Sequence, residues 1–233
     1  MRLAVAGPRA AVVFQAAEHR AGTGQAAGDG AAALAVALAD VGRALPGSVR
    51  VLLLRGDAWS LPLAQPRAPD LADSWQEGVG WLADRADLVS VAAVHGLVSG
   101  AGLALALACD LRVMSVDTTF SLPEAGLGQL PGPGVAGRLV ELLGYPTAFE
   151  LCLTGRRLTA AEATAAGMAQ RAVPLADLDE AAENLVTALL AVTRDVAAET
   201  KALLRGAAGR PRRDQLAAER AAFARLDAAH PAG

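Results

Sequence analysis

Residues 91–115 read VAAVHGLVSGAGLALALACDLRVMS. The run begins inside a β-branched stretch, Val89–Val94, that reads as a strand. His95-Gly96 follows it, and then Ser99-Gly100-Ala101-Gly102, where small residues predict a tight turn. Leu103–Cys109 has the composition of a short buried helix, and Leu111–Ser115 is a second strand. Small residues between a strand and a helix let backbone N–H groups approach a ligand closely. The helix start adds unpaired donors and a positive dipole end. Such a turn suits a phosphate or a developing oxyanion, and it equally suits a close strand–helix packing contact. The Lys-Ser/Thr ending of a nucleotide-binding P-loop is missing.

Working outward, Arg9–Gln15 reads as a strand, Arg20–Gly30 as a glycine-rich loop, Ala31–Leu45 as a helix stopped by Pro46-Gly47, and Val49–Leu54 as a buried strand. Strand, helix and strand at this spacing predict a parallel crossover. Arg55–Asp73 reads as irregular. Ser74–Ala86 reads as an amphipathic helix with Trp75, Val79 and Leu82 on one face. A short strand is expected at Thr119–Ser121. Helices are expected at Val135–Leu143, Pro146–Leu153, Ala160–Ala166, Ala176–Val192, Asp195–Arg205 and Arg213–Ala229. The expected class is therefore α/β with a helical C-terminal third.

Composition narrows the function. The 233 residues carry a net charge of -3, with 53% hydrophobic residues, so a disordered chain is excluded. A slightly acidic chain with 3% aromatic residues is a poor nucleic-acid binder, on charge and on stacking grounds. Cys109 and Cys152 stand apart in apolar surroundings and read as buried thiols of a reducing cytoplasm. His19, His95 and His230 are too scattered for a zinc site. The start, MRLAVAGPRAAVVF, does not read as a signal peptide, and no apolar run reaches membrane-span length.

Two further stretches carry candidate chemistry. In PEAGLG, Glu124 lies among Phe120, Leu122 and Leu127. A carboxylate in an apolar wall has its protonated form favoured and can shuttle protons, although a solvated turn glutamate gives the same pattern. Leu130-Pro131-Gly132-Pro133-Gly134 makes a rigid turn before a helix, which either lines a pocket or redirects the chain. Asp110 reads as a structural carboxylate. His95 reads as a strand-end residue with an option to face the pocket. Lys201 and the basic run at 210–213 read as a solvated face with an option to meet a ligand's phosphate.

Taken together the segments resemble the enoyl-CoA hydratase/isomerase (crotonase) superfamily. VAAVHGLVSGAGLALALACDLRVMS, TTFSLPEAGLGQLPGPG and LCLTGRRLTAAEATAAGMAQRAVP follow the family's motifs in order and spacing from about Val49 to Lys201. The resemblance implies a crotonase-like spiral of ββα units over 1–145. It implies a C-terminal helical region over 146–233 used for trimerisation, with trimers often stacked as hexamers. It also implies a cytoplasmic protein that takes an acyl-CoA or acyl-carrier thioester as substrate, with no cofactor and no metal. By the match the oxyanion hole draws one N–H from Ala101 and another from the loop after GDAW, on or near Leu63. Glu124 is the implied acid/base, and Gly100, Gly132 and Trp59 are the implied substrate-binding positions.

The departures set the expected chemistry. Two-glutamate hydratases carry a carboxylate in the short helix where this chain has Ala104. Hydration needs one group to activate water and another to handle a proton, so simple hydratase activity is not expected. A single glutamate suffices to move a proton along a carbon chain, as in the family's isomerases. The oxyanion loop reads Ala58-Trp59-Ser60-Leu61-Pro62-Leu63-Ala64, with Pro62 in place of glycine and Ala64 in place of aspartate. An isomerase-type enzyme is the leading expectation. The alternative is a degenerate homologue serving as accessory subunit to a partner enzyme in a biosynthetic pathway.

Overall fold

Val51, Leu52, Leu53 and Leu54 are all buried, which a strand permits only when both of its faces are covered. The computed structural model describes residues 1–14, 25–56, 59–61 and 69–229. Its strands are β1 (Arg2–Ala6), β2 (Arg9–Phe14), β3 (Val51–Gly56), β4 (Trp59–Leu61), β5 (Val89–Val94), β6 (Leu97–Ser99), β7 (Leu111–Ser115), β8 (Thr119–Phe120), β9 (Leu158–Thr159) and β10 (Arg171–Val173). Its helices are α1 (Gln25–Ala44), α2 (Pro69–Asp84), α3 (Gly100–Ala108), α4 (Val135–Thr154), α5 (Ala160–Ala165), α6 (Leu178–Leu190), α7 (Arg194–Ala207) and α8 (Arg212–Ala229).

The strands form two sheets. The larger has the order β1-β2-β3-β5-β7-β10, and the smaller β4-β6-β8-β9. In the larger sheet every pairing from β2 onward is parallel, and β1 pairs antiparallel with β2. The chain feeds the sheets alternately: β3, β5 and β7 enter the large sheet, β4, β6 and β8 the small one, and a helix follows each pair. This is the expected spiral of ββα units, and the expected β2-to-β3 crossover is parallel.

The period of two sorts each strand's side chains between two cores. Leu52 and Leu54 join Val12, Phe14, Ala92 and Val94 beneath α1, α2 and α3. Val51 and Leu53 join Val91, Ala93 and Val113 beneath Leu178, Ala182 and Val186 of α6. Each such leucine contributes about 1.5–3 kcal/mol by leaving water. In the small sheet Trp59, Val98, Phe120 and Leu158 lie in one cross-strand row, all buried.

Several bounds differ from the sequence reading. The helix α1 begins at Gln25, inside the stretch read as loop, because a buried face carrying Leu34, Ala35 and Leu38 outweighs the glycine cost in its first turns. Pro69 starts α2 five residues early, where a proline without an N–H is tolerated. Trp59–Leu61 is a strand within the segment read as irregular, since pairing with β6 decides it. The strands β1 and β10 are additions, the latter only three residues long. The helices expected at 135–143 and 146–153 join at a kink where Gly144 is non-helical. No described helix is long and apolar enough to cross a membrane.

The C-terminal helices are anchored through Asp110. Its Oδ2 accepts from the backbone N–H and hydroxyl of Ser90 and from Lys201 Nζ at 2.9 Å, and its Oδ1 from Arg205 at 2.7 Å. Lys201 also donates to the carbonyls of Leu82 and Leu88. The expectation of a solvated or phosphate-facing Lys201 is thereby corrected, because its ammonium is buried and fully engaged. Burial opposes the Asp110 carboxylate, but Lys201, Arg205 and Ser90 prevail and hold its pKa below the ordinary 3.8. A folded-state pKa below the unfolded one stabilises at pH above about 4 and loses that contribution as pH falls through the folded value. Asp110→Asn leaves Lys201 buried without its counter-charge. Urea unfolding at pH 7 is expected to show a loss of about 3–5 kcal/mol, with most of the difference from the parent vanishing in acid.

Candidate active site

The helix α3 reads GAGLALALA, without a polar side chain, and its residues from Gly100 to Leu107 are buried. A helix apolar on all sides belongs inside. Its entry is set by two glycines. Ser99 is extended and Gly100 turns left-handed at φ +57, a region that a side chain disfavours. A left-handed residue followed by a helical one aims successive N–H groups into one concavity. Those of Gly100, Ala101 and Gly102 are also among the four that a helix start leaves without intrahelical acceptors. At Gly102 a Cβ would lie 1.8 Å from the Trp59 carbonyl oxygen. Glycine is therefore required there by close approach, and the backbone of β4 lies directly against the first turn of α3.

Glu124 opens a single 3₁₀ turn, Glu124–Leu127, that ends where Gly128 goes left-handed at φ +68. The Gln129 N–H donates to the Glu124 carbonyl at 2.8 Å and closes the turn. The residue is 8% exposed, and its Oε2 is sealed from solvent without a hydrogen-bond partner. Burial pushes its pKa above the ordinary carboxylate value. Its charge, after burial, also raises the half-buried Cys152 thiol, which places that thiol in the same neighbourhood.

What brings these pieces together is strand order. In the small sheet β4, β6 and β8 lie side by side and parallel, so their carboxyl ends share one edge. From that edge leave the Gly100 turn into α3 and the segment Ser121–Glu124. The Ser121 N–H still donates to the Val98 carbonyl at 3.0 Å. The carboxyl edge of parallel strands is the usual place for a ligand in such sheets.

The other expected positions are distributed as follows. Ala101 is buried at the start of α3. Leu63 lies outside the described residues. Trp59 is fully buried, with its ring edge-on to Phe14 at 4.8 Å, so its carbonyl rather than its indole meets α3. Gly132 is half-buried, and its carbonyl accepts from the Val135 N–H at the start of α4. Ala104 is buried within α3. His95 donates from Nε2 to the Gly56 carbonyl at 2.9 Å. Cys109 is buried, and desolvation pushes its thiol up to about 12. No group of three potential metal ligands occurs among the described residues.

One feature went unnoticed in the sequence. The Ser60 and Ser99 hydroxyls stand 2.9 Å apart across β4 and β6, on the face opposite Trp59 and Val98. Once the register Ser60 to Ser99 is known, alternation predicts the pair, but the sequence alone does not reveal that register.

Comparison with known proteins agrees with this fold. A family model described as enoyl-CoA hydratase/isomerase matches residues 72–230, more than half of the chain. A Bacillus subtilis protein, YngF, provisionally named an enoyl-CoA hydratase/isomerase, is 44% identical over 101 residues. That stretch is 43% of this chain and 39% of the relative, so the match spans about two fifths of the curated relative's length. The structure is similar to a provisionally named enoyl-CoA hydratase of Thermobifida fusca YX in complex with CoA. The TM-score is 0.81 and the identity 36%, over 99% of this chain and 94% of that one. The same relative in complex with acetoacetyl-CoA gives a TM-score of 0.79 over 96% and 93%. With the spiral of ββα units, the glycine turn and Glu124 in place, the chain belongs to the enoyl-CoA hydratase/isomerase family of the crotonase superfamily.

Proposed function

We propose that the protein acts on an acyl-CoA or related acyl thioester through an oxyanion-stabilised enolate, moving a proton in the manner of an enoyl-CoA isomerase. The observation that carries this reading is the shared carboxyl edge of β4, β6 and β8, from which emerge both the α3 amides and a Glu124 carboxylate whose Oε2 is sealed from solvent without a partner. The thioester carbonyl would sit against the Ala101 N–H, with a second donor from the loop after GDAW, on or near Leu63. Negative charge arriving on that oxygen meets fixed dipoles at the start of α3, which need no reorganisation. Glu124 then takes the proton alpha to the carbonyl and returns it further along the chain. Ala104 leaves no second carboxylate in α3 to activate water, which favours proton transfer over hydration.

CoA as the carrier is supported by the CoA and acetoacetyl-CoA complexes of the Thermobifida relative. The stacked Tyr145 and Phe149 rings and Leu153, all exposed on α4, support the homo-oligomer that the family implies.

The test uses but-3-enoyl-CoA and hex-3-enoyl-CoA in deuterated water, with mass spectrometry of the recovered thioester. The double bond should move into conjugation, read by absorbance, with deuterium entering the γ-carbon where Glu124 exchanges its proton with solvent and the α-carbon on reversal, and Glu124→Gln should slow both by about 10²–10⁴-fold. Absence of both isomerisation and exchange with every thioester overturns the enzymatic reading and leaves an accessory role. The base must be ionised, so the rate should rise with pH through an inflection above 4.5 and then level off. A profile flat across that range contradicts Glu124 as the base.

Gly102→Ala tests the other half of the site. The added methyl must displace either α3 or β4. Exchange should fall by at least tenfold, with a thermal-denaturation deficit equivalent to about 1–3 kcal/mol.

A further inference from the structure

The C-terminal end of α3 is held as deliberately as its N-terminal end. Arg112 is 1% exposed and points its guanidinium back at that end. Its NH1 donates to the carbonyls of Ala106 at 2.9 Å and Cys109 at 2.7 Å, its NH2 to Asp110 at 3.2 Å, and its Nε to Met168. A second arginine, Arg138 of α4, donates from Nε to the Leu107 carbonyl at 3.1 Å. Carbonyls at the close of a helix lack intrahelical donors and form its negative pole. Here those of Ala106, Leu107 and Cys109 all receive cationic donors. Other charges gather at this end: Asp110, which Lys201 and Arg205 both engage, and Glu141, which pairs with Arg138. With four cations against two carboxylates the balance is positive.

A nine-residue helix is about 13 Å long. A charge at one end therefore still acts on the other through a poorly screened interior. The clamp also fixes the axis along which the first-turn amides point, bolting α3 to the segment after α5. The Gln170 side-chain carbonyl accepts from the Arg112 N–H at 2.7 Å, and the Gln170 N–H donates to the Arg112 carbonyl.

We propose that Arg112 and Arg138 are positioning residues of the thioester reaction, clamping and neutralising the C-terminal pole of α3 so that the amides at its other end meet the substrate oxygen aligned and electropositive. The inference rests on the reading of the α3 start as an oxyanion site.

The test pairs kinetics with a vibrational signature. Butyryl-CoA carrying ¹³C at its carbonyl is bound to the protein, and the carbonyl stretch is read by difference infrared spectroscopy. Hydrogen bonding at the oxyanion site should lower that frequency in the parent protein. Arg138→Gln removes a side chain that is partly exposed and should leave the fold intact. It should lower the exchange kcat about 3–10-fold with KM little changed, and should shrink the carbonyl shift. Arg138→Lys should recover most of both effects. Glu141→Gln removes a carboxylate from the same pole and should leave the exchange kcat and the carbonyl shift at or above those of the parent. Arg112→Met is expected to shrink the shift further where enough folded protein is recovered. A parent-like shift and kcat in Arg138→Gln, with stability alone reduced, would overturn the positioning role and leave the oxyanion site standing. Absence of any shift or exchange in the parent would overturn the oxyanion reading and this inference with it.

Discussion

The account depends on one apposition: the first turn of α3 pressed against the backbone of β4. At Gly102 there is no space for a methyl group beside the Trp59 carbonyl, and at Gly100 the chain takes a left-handed turn. The two glycines thus do different work, one allowing approach and the other direction. Their joint effect is to present main-chain donors at a sheet edge. A helix without a charge of its own supplies polarity only through its backbone. Its placement, rather than its side chains, therefore decides the local chemistry.

From the same sheet edge leaves the segment that carries Glu124. Glu124 is held by a short turn whose own backbone bonds close it, while its Oε2 meets neither solvent nor a partner. A buried acceptor left unpaired is a standing cost, and sites that use such groups for chemistry tolerate that cost. Desolvation keeps the carboxyl more basic than a surface glutamate, the direction a proton-abstracting group requires. Asp110, fourteen residues earlier in the chain, shows the opposite arrangement: cations surround it, and it stays ionised to tie α7 to the core.

Much of this was readable in the residues. The span Val89–Val94 is a strand at the expected bounds, and the apolar run at 103–108 is a buried helix, but that helix begins three residues earlier than read, because Gly100–Gly102 forms its first turn with only Gly100 left-handed. Glu124 stood out as a carboxylate among apolar neighbours, and it is buried. What could not be read depends on long-range pairing. Trp59–Leu61 has three residues and no period of its own, and it is a strand because β6 lies beside it. The Ser60–Ser99 hydroxyl pair needs the same register. Lys201 read as a surface cation until the carbonyls of Leu82 and Leu88 and the Asp110 carboxylate closed around it across about a hundred residues of chain. The arginine clamp on α3 was hidden likewise, since Arg138 reaches Leu107 from another helix.

The most direct measurement is a crystal structure of the protein with bound butyryl-CoA. The account predicts the thioester oxygen about 3 Å from the Ala101 nitrogen, with the α-carbon facing the Glu124 carboxylate. A thioester bound elsewhere, or a Glu124 side chain turned away from the α-carbon, would contradict it.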